Sequence, residues 1–197
     1  MNTPTHILIG VAAFSRPGLY KVNTAAFLGG LLPDVSLYVM AGWALFIQGI
    51  APQTVFHVYF FSPEWMRVFA VDHSIPIWGM ALGVGLWLKR DWLIAFSGAG
   101  LPHVGSDFLV HHDDARPQFW PLSDWIFRGP VSYWDDRYYG QYFAPFEMVL
   151  ALGLCVVLWR RFRAPWPRMA IGLTTVALVS TAVMWSYMLA GGVAHAQ

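Results

Sequence analysis

Residues 92–110 read WLIAFSGAGLPHVGSDFLV. The stretch is 19 residues long and holds two ionisable groups, His103 and Asp107. A spanning helix needs about 20 mostly apolar residues. A buried helix of a soluble protein rarely runs so far without a polar face. Four other stretches share the pattern: residues 24–50 carry Asp34, 68–88 carry Asp72 and His73, 143–159 carry Glu147, and 169–190 carry no ionisable group. The predicted fold is all-α: a polytopic integral membrane helical bundle of five spanning helices, plus a short or re-entrant helix at the N-terminus. That first helix is residues 3–14, TPTHILIGVAAF. Pro4 suits its first turn, and Thr3 or Thr5 could cap it. No basic residue precedes it, so it reads as a retained helix rather than a cleavable signal.

The composition agrees. Of 197 residues, 57% are hydrophobic, 17% aromatic and 12% charged, against about 25% charged in an average soluble domain. Mean hydropathy is +0.48. This excludes a disordered chain, a coiled coil and a nucleic-acid-binding domain; a net charge of +1 gives no field to attract an acidic polymer. The lone cysteine, Cys155, excludes a disulfide framework and a Cys-based zinc cluster. The length fits a single membrane domain over residues 1–197. Its one sizeable extramembrane piece is the aromatic-rich loop 111–142, expected to fold along the membrane interface where Trp and Tyr are at home. The lipid bilayer is the first predicted partner.

Orientation follows from the basic residues. Arg16, Lys21, Lys89, Arg90, Arg160, Arg161, Arg163 and Arg168 fall on one side if the spans alternate; Arg67, Arg116, Arg128 and Arg137 fall on the other. The first side is expected to be cytoplasmic. Loop 111–142 and the C-terminus then lie outside.

Ionisable residues inside spans are costly and are functional candidates by default. Depth can be counted from the basic end of each helix at about 1.5 Å per residue. Asp34 lies about 20 Å above Lys21, and His103 about 20 Å above Arg90. His73 lies roughly 24 Å from Lys89, Asp107 roughly 26 Å from Arg90, and His6 about 15 Å before Arg16. His6, Asp34, His73, His103 and Asp107 thus share one layer in the outer half of the bilayer. His103 and Asp107 share a helix face at i, i+4. His and Asp are ligands for zinc, manganese or iron. Breaks are expected at Pro33, Pro76 and Pro102, beside three of these positions. The blander readings are a helix cap at Asp34, another at Asp72, and a plain His103–Asp107 hydrogen bond. The glycines Gly29, Gly30, Gly79, Gly83, Gly85, Gly98 and Gly100 are expected to permit close helix packing.

At the mouth stand His111, His112, Asp113, Asp114 and Arg116. A planar guanidinium suits an anionic substrate group, which makes Arg116 a candidate. Asp72, His112 and Asp113 are candidate proton acceptors.

The order Thr5-His6, Leu32-Pro33-Asp34, His73-Ser74 and His103-x-x-x-Asp107 resembles the YdjM-like family of bacterial inner-membrane proteins, described as metal-dependent hydrolases. The resemblance covers roughly residues 3–125 and marks a divergent member, with Asp72 where the family commonly has Thr. It implies that His6, Asp34, His73, His103 and Asp107 are the metal-site residues. It also implies the bacterial inner membrane, with loop 111–142 and the C-terminus periplasmic.

The expected function is a membrane-bound metal-dependent hydrolase. Its divalent metal would be zinc first, manganese or iron next. The substrate expected is a lipid-like or amphipathic ester or phosphoester. The alternative is a non-enzymatic accessory subunit of a larger membrane complex. Haem or quinone binding through His73 and His103 ranks lower, because the carboxylates argue against a haem pocket. Transport ranks last, because few short helices and no repeat give little for alternating access.

Overall fold

The computed structural model describes the backbone of residues 1–194 and the side chains of residues 1–180. The order is α1 (Thr3–Phe14), α2 (Tyr20–Gly42) running into a π-helical turn (Trp43–Ile47), the short α3 (Pro52–Thr54) with a second π turn (Val55–Tyr59), α4 (Pro63–Asp72), α5 (Ile75–Trp87), α6 (Asp91–Val110), a 3₁₀ turn (Asp136–Tyr138), α7 (Gly140–Arg161) and α8 (Pro165–Ala194). No strand occurs among the described residues.

Four helical stretches are long and apolar enough to cross a membrane: Tyr20–Ile47, Pro63–Trp87, Asp91–Val110 and Gly140–Arg161. The expected fifth span, 169–190, falls on α8, where side chains from residue 181 on lie outside the described residues. Outward faces of the spans are apolar, with Phe46 83%, Trp87 81% and Met80 64% exposed. In water such continuous apolar surface would be an aggregation liability.

At the centre is α6, packed against α1, α2 and α5. Small residues make this closeness possible. A Cβ on Gly29 would sit 1.9 Å from the Phe96 carbonyl oxygen, and one on Gly30 would sit 2.9 Å from the Ile7 Cα. The packing expectation holds there and at Gly85, Gly98 and Gly100. It fails at Gly79 and Gly83, which have nothing within 4 Å.

Helix α1 has 12 residues, about 18 Å at the α-helical rise, too short to cross the ~30 Å hydrocarbon core. It stands enclosed by α2, α6 and α7. Its cap is Asn2 rather than Thr3 or Thr5, and Pro4 sits in the first turn as expected. The Asn2 backbone N–H and side-chain amide donate to Glu147 at 2.7 and 2.9 Å, which sets a carboxylate at the helix N-terminus. At the other end Arg161 donates to the carbonyls of Ala12 and Ser15 at 2.6 and 3.1 Å. Arg161 therefore closes α1 besides marking the basic side.

The proline breaks are fewer than expected. Helices α2 and α6 continue through Pro33 and Pro102. The real break lies at His73–Ser74, between α4 and α5, with Pro76 in the first turn of α5. Ser74, not Asp72, caps α5, accepting from the Ile77 N–H at 3.1 Å. Asp34 lies inside α2 and caps nothing. Residues 114–118 of the following loop are buried, with Arg116 over Phe69 of α4 and Gln118 donating to the Val104 carbonyl of α6. The Ile75 N–H donates to the Gln118 carbonyl at 2.8 Å, and Ser74 Oγ donates to the Trp120 carbonyl, so the loop is tied across the break.

Candidate metal centre

Pro33 and Asp34 stand in mid-α2, His103 and Asp107 lie one turn apart on α6, and His73 sits in the break after α4. Close approach of α2 and α6 at Gly29 and Gly30 brings them together. One ligand atom from each of Asp34, His73, His103 and Asp107 lies within 4.8 Å of the others, and all four residues are buried.

The tautomers can be read from the partners. A carbonyl only accepts, so His103 Nδ1 carries the proton donated to the Gly30 oxygen at 2.8 Å. In the neutral ring Nε2 then presents a lone pair inward, buried and without a hydrogen-bond partner among the described residues. That atom is 3.4 Å from Asp107 Oδ2 and 3.6 Å from Asp34 Oδ1. Likewise His73 Nδ1 donates to Asp72 Oδ1 at 2.7 Å, leaving its Nε2 lone pair 3.6 Å from Asp107 Oδ2 and 3.9 Å from Asp34 Oδ1. Tetrahedral ligands about 2.0–2.1 Å from zinc are separated by roughly 3.4 Å. Two histidine nitrogens and two carboxylate oxygens within 4.8 Å of one another match a divalent cation in donor type, with His73 Nε2 taken here by the Arg116 guanidinium.

His6 comes to the site in another role. Its Nε2 meets two acceptors, Asp107 Oδ1 at 2.9 Å and the Met1 carbonyl at 3.1 Å, so it carries the proton. Its ring stacks on His103 with centroids 3.6 Å apart. His6 supports the outer oxygen of Asp107 and turns no lone pair inward. The Met1 amino group donates to the same oxygen at 2.8 Å.

Asp72 lies behind His73, with its second oxygen accepting from Ser36 Oγ. A carboxylate behind a metal-ligating histidine fixes its tautomer and orientation. Arg116 enters the site: its Nη1 donates to His73 Nε2 and lies 3.8 Å from Asp107 Oδ2. His112 and Asp113 stay outside. His112 donates to the Gly129 carbonyl at 2.7 Å and stacks on Tyr138, while Asp113 pairs with Arg137 at 2.9 Å.

The inward-facing pair is His111 and Asp114. His111 Nδ1 donates to Asp114 Oδ2 at 2.8 Å, and its Nε2 lies 3.3 Å from Asp107 Oδ1. Trp134 Nε1 donates to the same Asp114 oxygen at 3.0 Å. Burial pushes the Asp114 carboxyl up, but the hydrogen bonds from His111 and Trp134 more than offset it and hold it below the ordinary range. Burial, reinforced by the charge of Asp114, raises the Tyr133 phenol, so it remains an O–H donor. A cavity of about 120 Å³ opens beside the cluster, walled by Thr3, Asp34, Tyr38, His111, Arg116 and Tyr133.

No protein family, no curated protein and no solved structure matches the chain. The chemistry of the site therefore rests on its own geometry.

Proposed function

We propose that the protein is an integral membrane metal-dependent hydrolase of the YdjM-like kind, with Asp34, His73, His103 and Asp107 holding one divalent cation, zinc first. The observation that carries the proposal is the buried His103 Nε2, without a hydrogen-bond partner among the described residues and flanked by two carboxylates, while Nδ1 donates to the Gly30 carbonyl. A buried polar atom without a partner costs about 1–3 kcal/mol, and a cation would remove that cost. The proposal includes five spans and the bacterial inner membrane, with loop 111–142 on the periplasmic side, as the positive-inside bias favours. The site then opens in the outer leaflet, where a lipid-like or amphipathic ester or phosphoester arrives.

When bound, a divalent ion supplies Lewis-acid polarisation and activation of water near neutral pH. The chain's own groups do the rest. Asp72 keeps His73 in its ligating tautomer. His111 lines the cavity with Asp114 behind it and its Nε2 beside Asp107 and the Met1 amino group, and would take the proton of the attacking water. The proposed proton acceptor is thus His111, in place of Asp72, His112 or Asp113. Tyr133 lines the cavity as a hydroxyl donor, Thr3 spends its proton on Asp34, and Arg116 is the cation for an anionic substrate group.

The test is turnover of micellar esters and phosphoesters by zinc-, manganese- or iron-loaded protein. Hydrolysis lost on chelation and in His103→Ala supports the proposal; no turnover of any of them by a metal-loaded protein contradicts it. One observation favours a second reading. Arg116 already donates to His73 and faces Asp107, so the guanidinium could itself neutralise the cluster. The chain would then be an accessory subunit with a structural polar layer, and would purify without metal inside a larger complex.

A further inference from the structure

We infer that Arg116 is a resident cation that competes with the metal for His73, so that metal affinity is set by how readily the guanidinium gives way. The inference rests on the proposed cation in the Asp34, His73, His103 and Asp107 cluster, and concerns what contests that cation's place.

One lone pair has two claimants. His73 Nδ1 donates to Asp72, so Nε2 is the ring nitrogen left to accept a hydrogen bond or to ligate. Arg116 Nη1 donates to it. A guanidinium offers donors only and keeps its charge. The same Nη1 lies 3.8 Å from Asp107 Oδ2. A metal ion held by this cluster needs that lone pair and that carboxylate oxygen. One lone pair serves one of them at a time, and two cations so placed repel each other. Metal binding at His73 therefore requires Arg116 to let go of it.

The seat of Arg116 holds the charge well enough to compete. The side chain is 4% exposed. Its guanidinium lies over the rings of Phe69 and Phe60, at 5.1 and 5.9 Å. Such contacts strengthen away from water. The backbone on either side is tied down. Asp114 accepts from His111 at 2.8 Å and from Trp134 at 3.0 Å. Gln118 donates to the Val104 carbonyl at 3.1 Å, and its own carbonyl accepts from the Ile75 N–H at 2.8 Å. The moving part is therefore the Arg116 side chain rather than its segment. Its Nε makes no hydrogen bond among the described residues, so nothing fastens the stem end of the fork. Arg116 also forms part of the wall of the 120 Å³ cavity, with Asp34, Tyr38 and Tyr133. That space gives the guanidinium room to turn off His73, and the wall carries oxygen acceptors.

Apparent affinity falls by the fraction of time the site is free to bind, so a guanidinium that leaves His73 about one time in ten or less weakens zinc at least tenfold. An arginine that merely braced the fold would act the other way, since its loss would loosen the site. The experiment is zinc affinity by competition with a chromogenic chelator, on full-length protein in neutral detergent. Arg116→Met keeps an unbranched stem beside Phe69 and removes the charge; it is expected to bind zinc at least tenfold tighter than the wild type. Melting is the second readout. Without zinc the variant is expected to melt below the wild type, because His73 and Asp107 lose a partner. With saturating zinc that deficit should vanish. Equal or weaker zinc affinity in the variant would overturn the inference, as would a melting deficit that zinc leaves unchanged. If Arg116→Met does not fold, Arg116→Gln takes its place. If both fold only with zinc, release of zinc to the chelator decides: slower release than from the wild type supports the inference, and equal or faster release overturns it. If wild type and variants all take up no zinc, the metal reading falls and the inference with it. If the wild type binds zinc and the variants bind it no tighter, the inference falls alone.

Discussion

The site turns on which nitrogen of each histidine carries a proton. Carbonyl and carboxylate partners fix His103 and His73 with lone pairs inward, while His6 spends its Nε2 proton on Asp107. Removing the orienting carboxylate in Asp72→Asn should lower metal affinity about 10–100-fold without abolishing it; competition with a chelator measures this, and unchanged affinity would remove Asp72 from the account. The four clustered residues were legible in the sequence because depth along a helix follows from counting at a fixed rise. Roles at the mouth were not. Helix α6 ends at Val110 and His111 is extended, with φ −115 and ψ 131, so successive side chains diverge. His111 turns in and His112 turns out, and likewise Asp114 and Asp113. Counting cannot say which of two neighbours faces the site. Tautomers too depend on partners distant in sequence, such as Gly30 behind His103.

At the scale of elements, α2 and α6 must touch for the cluster to exist. Gly29→Ala drives a Cβ into a backbone oxygen that cannot swing aside. It should cost about 1–3 kcal/mol or more in detergent unfolding, whereas Gly79→Ala, with open space, should be neutral or stabilising by up to about 1 kcal/mol. Equal effects at both positions would contradict the packing. Within the loop Arg137 pairs with Asp135 and reaches Asp113. The hydrogen bonds from Arg137 hold the Asp135 carboxyl below its ordinary value of 3.8, and Asp135 in turn raises Arg137. A depressed acid contributes stability above its unfolded value and loses it as pH falls through the folded one. The loop should therefore loosen below about pH 4. Fluorescence of the adjacent Trp134 should report this, and Asp135→Asn should flatten the acid response. Helix positions were legible from long uncharged runs. Proline breaks were overread because a spanning helix tolerates an internal proline among packed neighbours, as at Pro33 and Pro102.

For the whole molecule, the claim is a bundle that carries a buried cation site open toward one face of a membrane. The orientation has a direct check. In a Cys155→Ala background, a cysteine at Asp124 should react with an impermeant maleimide on intact spheroplasts, and one at Arg163 should not; both positions are exposed. The reverse pattern would invert the topology. The central claim is the cation. Elemental analysis of the purified wild type beside the His103→Ala/Asp107→Ala double variant tests it most directly. About one zinc, manganese or iron per wild-type chain is expected, with loss of that ion in the variant. A well-folded wild type that carries no metal, even after reloading, would contradict it.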